Sequence, residues 1–398
     1  CIIIDSINEG QKMHIEIVKY GVESELFVGS RLVSMYSKSR MFAEARAVFD
    51  ILPIRDTIVW NTLIAGYAED SRCEEALQCF ELMQKCKVVA DPGSVVSSLK
   101  ACASVRMIGK GQEMHVDIEK KGLLEGDIAL GIGLIDMYTK CGALDTAKQV
   151  FDKIPTRNVV SWTALIGGYV QKGLGDAALK CFKKMQNEGV NPNMVTYICV
   201  LKACGIAKCV EVGEIIDVMV RNQGLLHTDV SLGNTMVDMY MKCGKFEKAR
   251  DLFDELPMRD VVSWNALITG YVDHRLGKEA LECFKEMKDE GVCPTGVTYS
   301  CVLKACGITQ CIDIGECIDA DVRKQGLLKK DIVLGNALID MYAKCGVLEK
   351  AQDVLIELLD RDVLSWSSLI AGYVEQCQCH KALFSFEQMQ NEGLFPNA

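Results

Sequence analysis

The chain is short of tryptophan and proline, with four Trp and seven Pro in 398 residues, and short of positive charge, with 44 Lys and Arg against 54 Asp and Glu. The resulting net charge of −10 runs against the basic balance by which nonspecific nucleic-acid binders neutralise phosphates. No apolar run approaches the roughly 18 residues of a membrane helix, and no signal or transit peptide is visible, so no membrane role is expected. Strand-type alternation is absent, which leaves an all-α reading. Neither C-x-x-C nor H-E-x-x-H occurs, nor H-x-E followed by C-x-x-C, so a zinc site is not expected. The sole Cys/His cluster, Cys377 to His380, lies where a helix should begin. Neither Pro/Gly/Ser-rich linkers nor charge runs divide the chain, although its length would ordinarily require two or three domains.

What is present is periodicity. Trp60, Trp162, Trp264 and Trp366 are each separated by 102 residues. The same interval relates Cys141, Cys243 and Cys345, then Cys102, Cys204 and Cys306, and again Cys79, Cys181 and Cys283. Cysteines recurring once per unit at a fixed position act most simply as small apolar packing residues, not as a disulfide framework. A repeat array also removes the need for linkers, because each unit packs only on its neighbours. The first residue is Cys1, and the last stretch, "NEGLFPNA", stops where a new unit would start, so a piece of a longer protein is expected.

Three kinds of unit, of 35, 36 and 31 residues, fill one period. The 35-residue units are 57–91, 159–193, 261–295 and 363–397; the long units are 92–127, 194–229 and 296–331, with a partial one at 1–25. Short units are 26–56, 128–158, 230–260 and 332–362. Each reads as two helices. In "VVSWNALITGYV" the residues Trp264, Leu267, Ile268 and Tyr271 form one apolar face, with Ser263 as the expected N-cap. Ala280, Leu281, Phe284 and Met287 form the face of a second helix, ended by Gly291 and Pro294. Prolines fall only at unit boundaries: Pro53, Pro155 and Pro257 near the ends of short units, Pro92, Pro192, Pro294 and Pro396 at or beside the ends of 35-residue units.

The units "VVSWNALITGYVDHRLGKEALECFKEMKDEGVCPT", "VTYSCVLKAC" and "IVLGNALIDMYAKCGVLEKAQDVL" closely resemble the three alternating motifs of the pentatricopeptide repeat family. The fixed order resembles the PLS subclass, in which 35-residue, long and short motifs alternate, as in plant organellar RNA-editing factors. This resemblance covers essentially the whole chain and implies a right-handed superhelical solenoid of helix-turn-helix repeats. It also implies single-stranded RNA as partner, read one base per repeat.

In the family the fifth and last residues of a motif read the base edge together, and the second packs on the base face. Carried over, this implies the pairs Asn61 with Asp91, Thr163 with Asn193, Asn265 with Thr295 and Ser367 with Asn397 in the 35-residue units. Short units supply Ser30 with Asp56, Asn234 with Asp260, and Asn336 with Asp362. Ile58, Val160, Val262, Val333 and Leu364 are the implied base-stacking residues. Departures from the pattern are Ile132 in place of a polar reader, which leaves Asn158 without a reading partner, and Ala129 and Ser231 in place of a stacking residue. Long units carry Val96, Ile198 and Ser300 at the fifth place, where family pairing is a poor guide.

Basic residues share the register. Arg55, Arg157, Arg259 and Arg361 each precede the last residue of a short unit, and Lys38, Lys140, Lys242 and Lys344 recur likewise. The arginines suit either phosphate contacts or salt bridges between units. Editing factors of the subclass often carry a deaminase domain, whose metal signature is missing here, so binding without catalysis and without a cofactor is expected. An editing deaminase or other editing factors are further implied partners, acting on a monomeric chain in the mitochondrion or, alternatively, the chloroplast. The rival readings are a protein-binding helical scaffold and an RNA stabilisation or processing factor without editing.

Overall fold

A computed structural model describes residues 4–124, 126–227, 229–328 and 331–395. Among the described residues the chain forms 23 α-helices and one short 3₁₀ turn, with no β-strand. It divides into two compact units, Cys1–Ala203 and Cys204–Ala398, each built from stacked helix pairs. In both, a first helix packs on the first helices before and after it and on its own second helix.

Helices begin at Leu26, Thr57, Pro92, Ile128, Val159, Met194, Val230, Val261, Gly296, Ile332 and Val363, the residues that open the units of the 102-residue frame. Their starts have a common cause. At every start except Leu26, where Glu25 makes no cap bond, the side chain of the last residue of the preceding unit accepts the first free N–H groups of the helix. Asp56 accepts from Val59, Asp91 from Ser94, Asp260 from Ser263 and Asp362 from Ser365. The N-cap of Val261–Asp273 is therefore Asp260, not the expected Ser263. Ser263 is already helical, as the third residue, and its hydroxyl returns a bond to the Asp260 N–H in a capping box. Second helices lack such side-chain caps; Gly277–Asp289, for example, starts after Leu276 without one.

The tryptophans lie in the core. Trp264 is fully buried and meets Phe253 edge to face with ring centroids 4.6 Å apart, as Trp60 meets Phe49 and Trp162 meets Phe151. The indole N–H groups of Trp60, Trp162 and Trp264 are buried without a partner, so these rings act through packing alone. Cys102, Cys204, Cys283 and Cys306 are buried too, and burial pushes the last three thiols up to about 12. They stay neutral and behave as small apolar side chains. Close approach of first helices rests on glycine: a Cβ on Gly270 would lie 2.5 Å from the Cβ of Met241, the neighbouring first helix.

Candidate nucleic-acid interface

The capping geometry places the candidate reading pairs. Because the last residue of a unit caps the next first helix, its side chain sits beside the fifth residue of its own unit, one turn into the first helix. The Asn61 amide donates to Asp91 Oδ2 at 2.7 Å, Asn234 to Asp260 Oδ1 at 3.2 Å, and Asn336 to Asp362 Oδ1 at 3.1 Å. Thr163 and Asn193 are bridged by the Thr196 hydroxyl, 2.7 Å from Thr163 Oγ1 and 2.9 Å from Asn193 Oδ1. Thr298 bridges Asn265 and Thr295 in the same way, at 2.8 and 3.1 Å. Ser30 instead donates to the Phe27 carbonyl, while Asp56 serves its helix cap. Ser367 is exposed on the helix Val363–Glu375, and its implied partner Asn397 lies outside the described residues.

Burial works to raise the carboxyl pKa of Asp260 and Asp362. The N–H and hydroxyl of Ser263 or Ser365 and the amide of Asn234 or Asn336 outweigh it and hold both below the usual carboxylate value. Both pairs therefore present a charged acceptor beside an amide at neutral pH. At Asn158 the departure is complete: its amide oxygen accepts from Val160 and Ser161 N–H groups, and the fifth residue of its unit is the apolar Ile132.

Beside the pairs, the second residue faces solvent although it is a large apolar side chain in most units, Gly93, Ala129 and Ser231 being the departures. Ile58 is 68% exposed and Val333 63%, and Val160, Val262 and Leu364 are exposed as well. Their common register sets one exposed apolar side chain beside each of these first-helix starts. Three further members of the set went unassigned in the sequence: Phe27, 72% exposed with the Arg31 guanidinium over its ring, and Val195 and Val297 in long units. Their position as second residues of units 26–56, 194–229 and 296–331 is the signal that marks them. The hydroxyls of Thr196, Ser263, Thr298 and Ser365 were missed because only tertiary packing brings them to the readers.

The periodic arginines are engaged within the protein. Arg157 pairs with Glu188 at 3.0 Å, Arg259 with Glu290 at 3.0 Å and Arg361 with Glu392 at 2.5 Å, each linking a short unit to the next. Arg55 donates to the carbonyls of Phe49 and Asp50 and lies 4.9 Å above the Phe49 ring. These contacts are the salt bridges between units that the register allows for, in Arg157, Arg259 and Arg361. Glu188, Glu290 and Glu392 share the 102-residue register, so the ion pair recurs with the arginines; the equivalent place for Arg55 is Cys86, and Arg55 turns to its own unit's carbonyls instead. Lys140, Lys242 and Lys344 pair with carboxylates one turn earlier in their own helices.

Stacked two-helix units, many offering a polar pair and an exposed apolar side chain, define a modular helical-repeat protein. Models described as PPR repeat and PPR repeat family match residues 58–88, 133–159, 157–205, 234–261, 259–307, 336–363 and 364–394, more than half of the chain. The chain belongs to the PPR repeat family. It is 35% identical to the chloroplastic pentatricopeptide repeat-containing protein At1g11290 of Arabidopsis thaliana over 98% of its length and 48% of that protein's. Its identity to the mitochondrial At2g03380 of the same plant is 32%, across 100% of this chain and 57% of the relative. The chain thus spans about half the length of these relatives. Its fold is that of the pentatricopeptide repeat protein PPR10 in a crystal structure with an 18-nt psaJ RNA element, with a TM-score of 0.76 at 20% identity over 96% of this chain and 57% of that one. The maize PPR10 structure gives 0.67 at 19%, over 98% and 62%.

Proposed function

We propose that this chain is the recognition part of a PLS-type organellar RNA-editing factor, binding single-stranded RNA one base per repeat and leaving C-to-U chemistry to a deaminase outside the residues described. The observation that carries this reading is the recurring join between the fifth and last residues of a unit, direct in the Asn/Asp pairs and through a hydroxyl in two others, beside an exposed apolar second residue. A purely structural pair would have no use for that solvent-facing apolar neighbour. Organelle names among the relatives support an organellar location, with the mitochondrion as our assignment and the chloroplast as the alternative. RNA bound by PPR10 supports the ligand class.

By the family's pairing tendencies a hydroxyl with Asp favours G, a hydroxyl with Asn favours A, Asn with Asp favours U and Asn without Asp a pyrimidine, so that the pairs would specify 5′-G U n n A n U Y n U A-3′, with n at the unreadable units. Selection from a random single-stranded RNA pool is expected to enrich that order and spacing. An unrelated consensus would overturn the residue assignments. No RNA enrichment at all would turn the reading to a protein-binding scaffold, which the net charge of −10 also suits.

A further inference from the structure

The third residue of a first helix lies where two neighbouring units meet, and from Val59 onward it is buried in every unit. Ser94, Ser161, Thr196, Ser263, Thr298 and Ser365 are fully buried hydroxyls at this position. Hydroxyls follow every unit whose fifth residue is Asn or Thr: Ser94 follows Asn61, Thr196 follows Thr163, Ser263 follows Asn234, Thr298 follows Asn265 and Ser365 follows Asn336. Leu130, Leu232 and Leu334 take the place after the long units, whose fifth residues are Val96, Ile198 and Ser300.

A cap alone does not account for the contacts. Ser263 Oγ accepts the Asp260 N–H at 3.1 Å, as a capping box requires, and also lies 2.6 Å from Asn234 Oδ1. Ser365 is 2.5 Å from Asn336 Oδ1. With its hydroxyl oxygen taken by the N–H, the serine has two acceptors for its one proton, Asp260 Oδ1 at 2.9 Å and the amide oxygen at the shorter 2.6 Å, and the amide nitrogen faces the Asp260 carboxylate, which only accepts. Flipping the amide would set its oxygen against that carboxylate and its N–H₂ against the hydroxyl proton. The contrast is Asn61, where Ser94 donates to the Asp91 carbonyl instead and Asn61 Oδ1 is buried without a partner.

We propose that the third-residue hydroxyl of the following unit is a positioning residue for base reading: Ser263 and Ser365 fix the amide orientation of Asn234 and Asn336, and so fix which pyrimidine each pair prefers. The proposal rests on the base-reading function above. Its chemistry is that uracil and cytosine carry opposite patterns on their pairing edges, with N3–H donor and O4 acceptor in one, N3 acceptor and N4–H₂ donor in the other. An amide held one way suits one of them; an amide free to flip suits both.

The test compares affinities of the chain for two RNAs of the sequence above that differ only in U or C at the seventh nucleotide, assigned to Asn234 and Asp260. The wild-type chain is expected to favour U by about tenfold, the scale of a single base-edge contact. Ser263→Ala removes one of the two contacts that hold the amide and leaves the Asp260 carboxylate to oppose the flip, so it should cut that ratio to about threefold, and Ser263→Thr, which keeps the hydroxyl, should restore it. Ser161→Ala is the matched control. Ser161 closes a capping box on Asn158, but the unit before it has Ile132 and no amide to orient. It should lower the melting temperature much as Ser263→Ala does and leave the ratio at the seventh nucleotide unchanged. A Ser263→Ala chain with the wild-type ratio, or a Ser161→Ala chain that loses it, overturns the positioning role while base reading stands. A wild-type chain indifferent to U and C overturns both.

Discussion

At Thr163 and Asn193 the expected base turns on one atom. Asn193 Oδ1 accepts both the N–H and the hydroxyl of Thr196 at 2.9 Å, so the cap uses the amide oxygen and leaves the Nδ2 protons as donors. A donor suits the N1 acceptor of adenine. Replacing the amide by a carboxylate keeps the cap, because one oxygen still accepts from Thr196, but turns the remaining atom into an acceptor, which suits the N–H groups of guanine. Asn193→Asp should therefore move this position from A to G by about 1–3 kcal/mol. Competition between RNAs that differ only at the fifth nucleotide measures the change. A variant that still prefers A, or loses both RNAs equally, would remove this pair from the readers.

At the scale of a helix, the repeated tryptophan is what the first helices share. Trp264 has no hydrogen bond to lose and is enclosed by its own unit and its neighbour, so its contribution is volume filled. Trp264→Ala should cost roughly 3–5 kcal/mol by leaving a cavity where a large aromatic stood. Trp264→Phe should cost less, since the lost N–H was unpaired. Thermal or urea unfolding checks both, and base preference should persist in the folded fraction. Were melting unchanged while base preference shifted, the ring would be contacting RNA.

For the whole molecule, charge decides how the RNA backbone can be met. The chain is acidic, and its periodic arginines are engaged by carboxylates of the adjoining unit or carbonyls of their own. Affinity should then depend less steeply on salt than for a basic binder. Arg157→Ala removes a half-exposed tie between two units and should lower stability by about 0.5–1 kcal/mol. The slope of log affinity against log salt should stay as in the wild type. A fall in slope of about 0.7, the value of one lost phosphate contact on a single strand, would return Arg157 to the RNA.

Much was legible in the sequence because a repeat writes its structure many times over. The Trp and Cys registers showed which faces are apolar, the prolines and glycines showed where helices stop, and a motif order read across the chain pointed to the family. Those are local properties, repeated until chance was excluded. Three matters waited for tertiary structure. Whether Arg157 faces phosphate or protein depended on Glu188, 31 residues away and brought within reach only by stacking. The double duty of Asp260, cap for one helix and partner for Asn234 on another, depended on two units sharing a boundary. Ser263 looked like a cap in the linear chain and became a hydrogen-bond partner of the neighbouring reader when the helices packed. Periodicity determines which residues are equivalent; only the packing of one unit on the next determines what each of them touches.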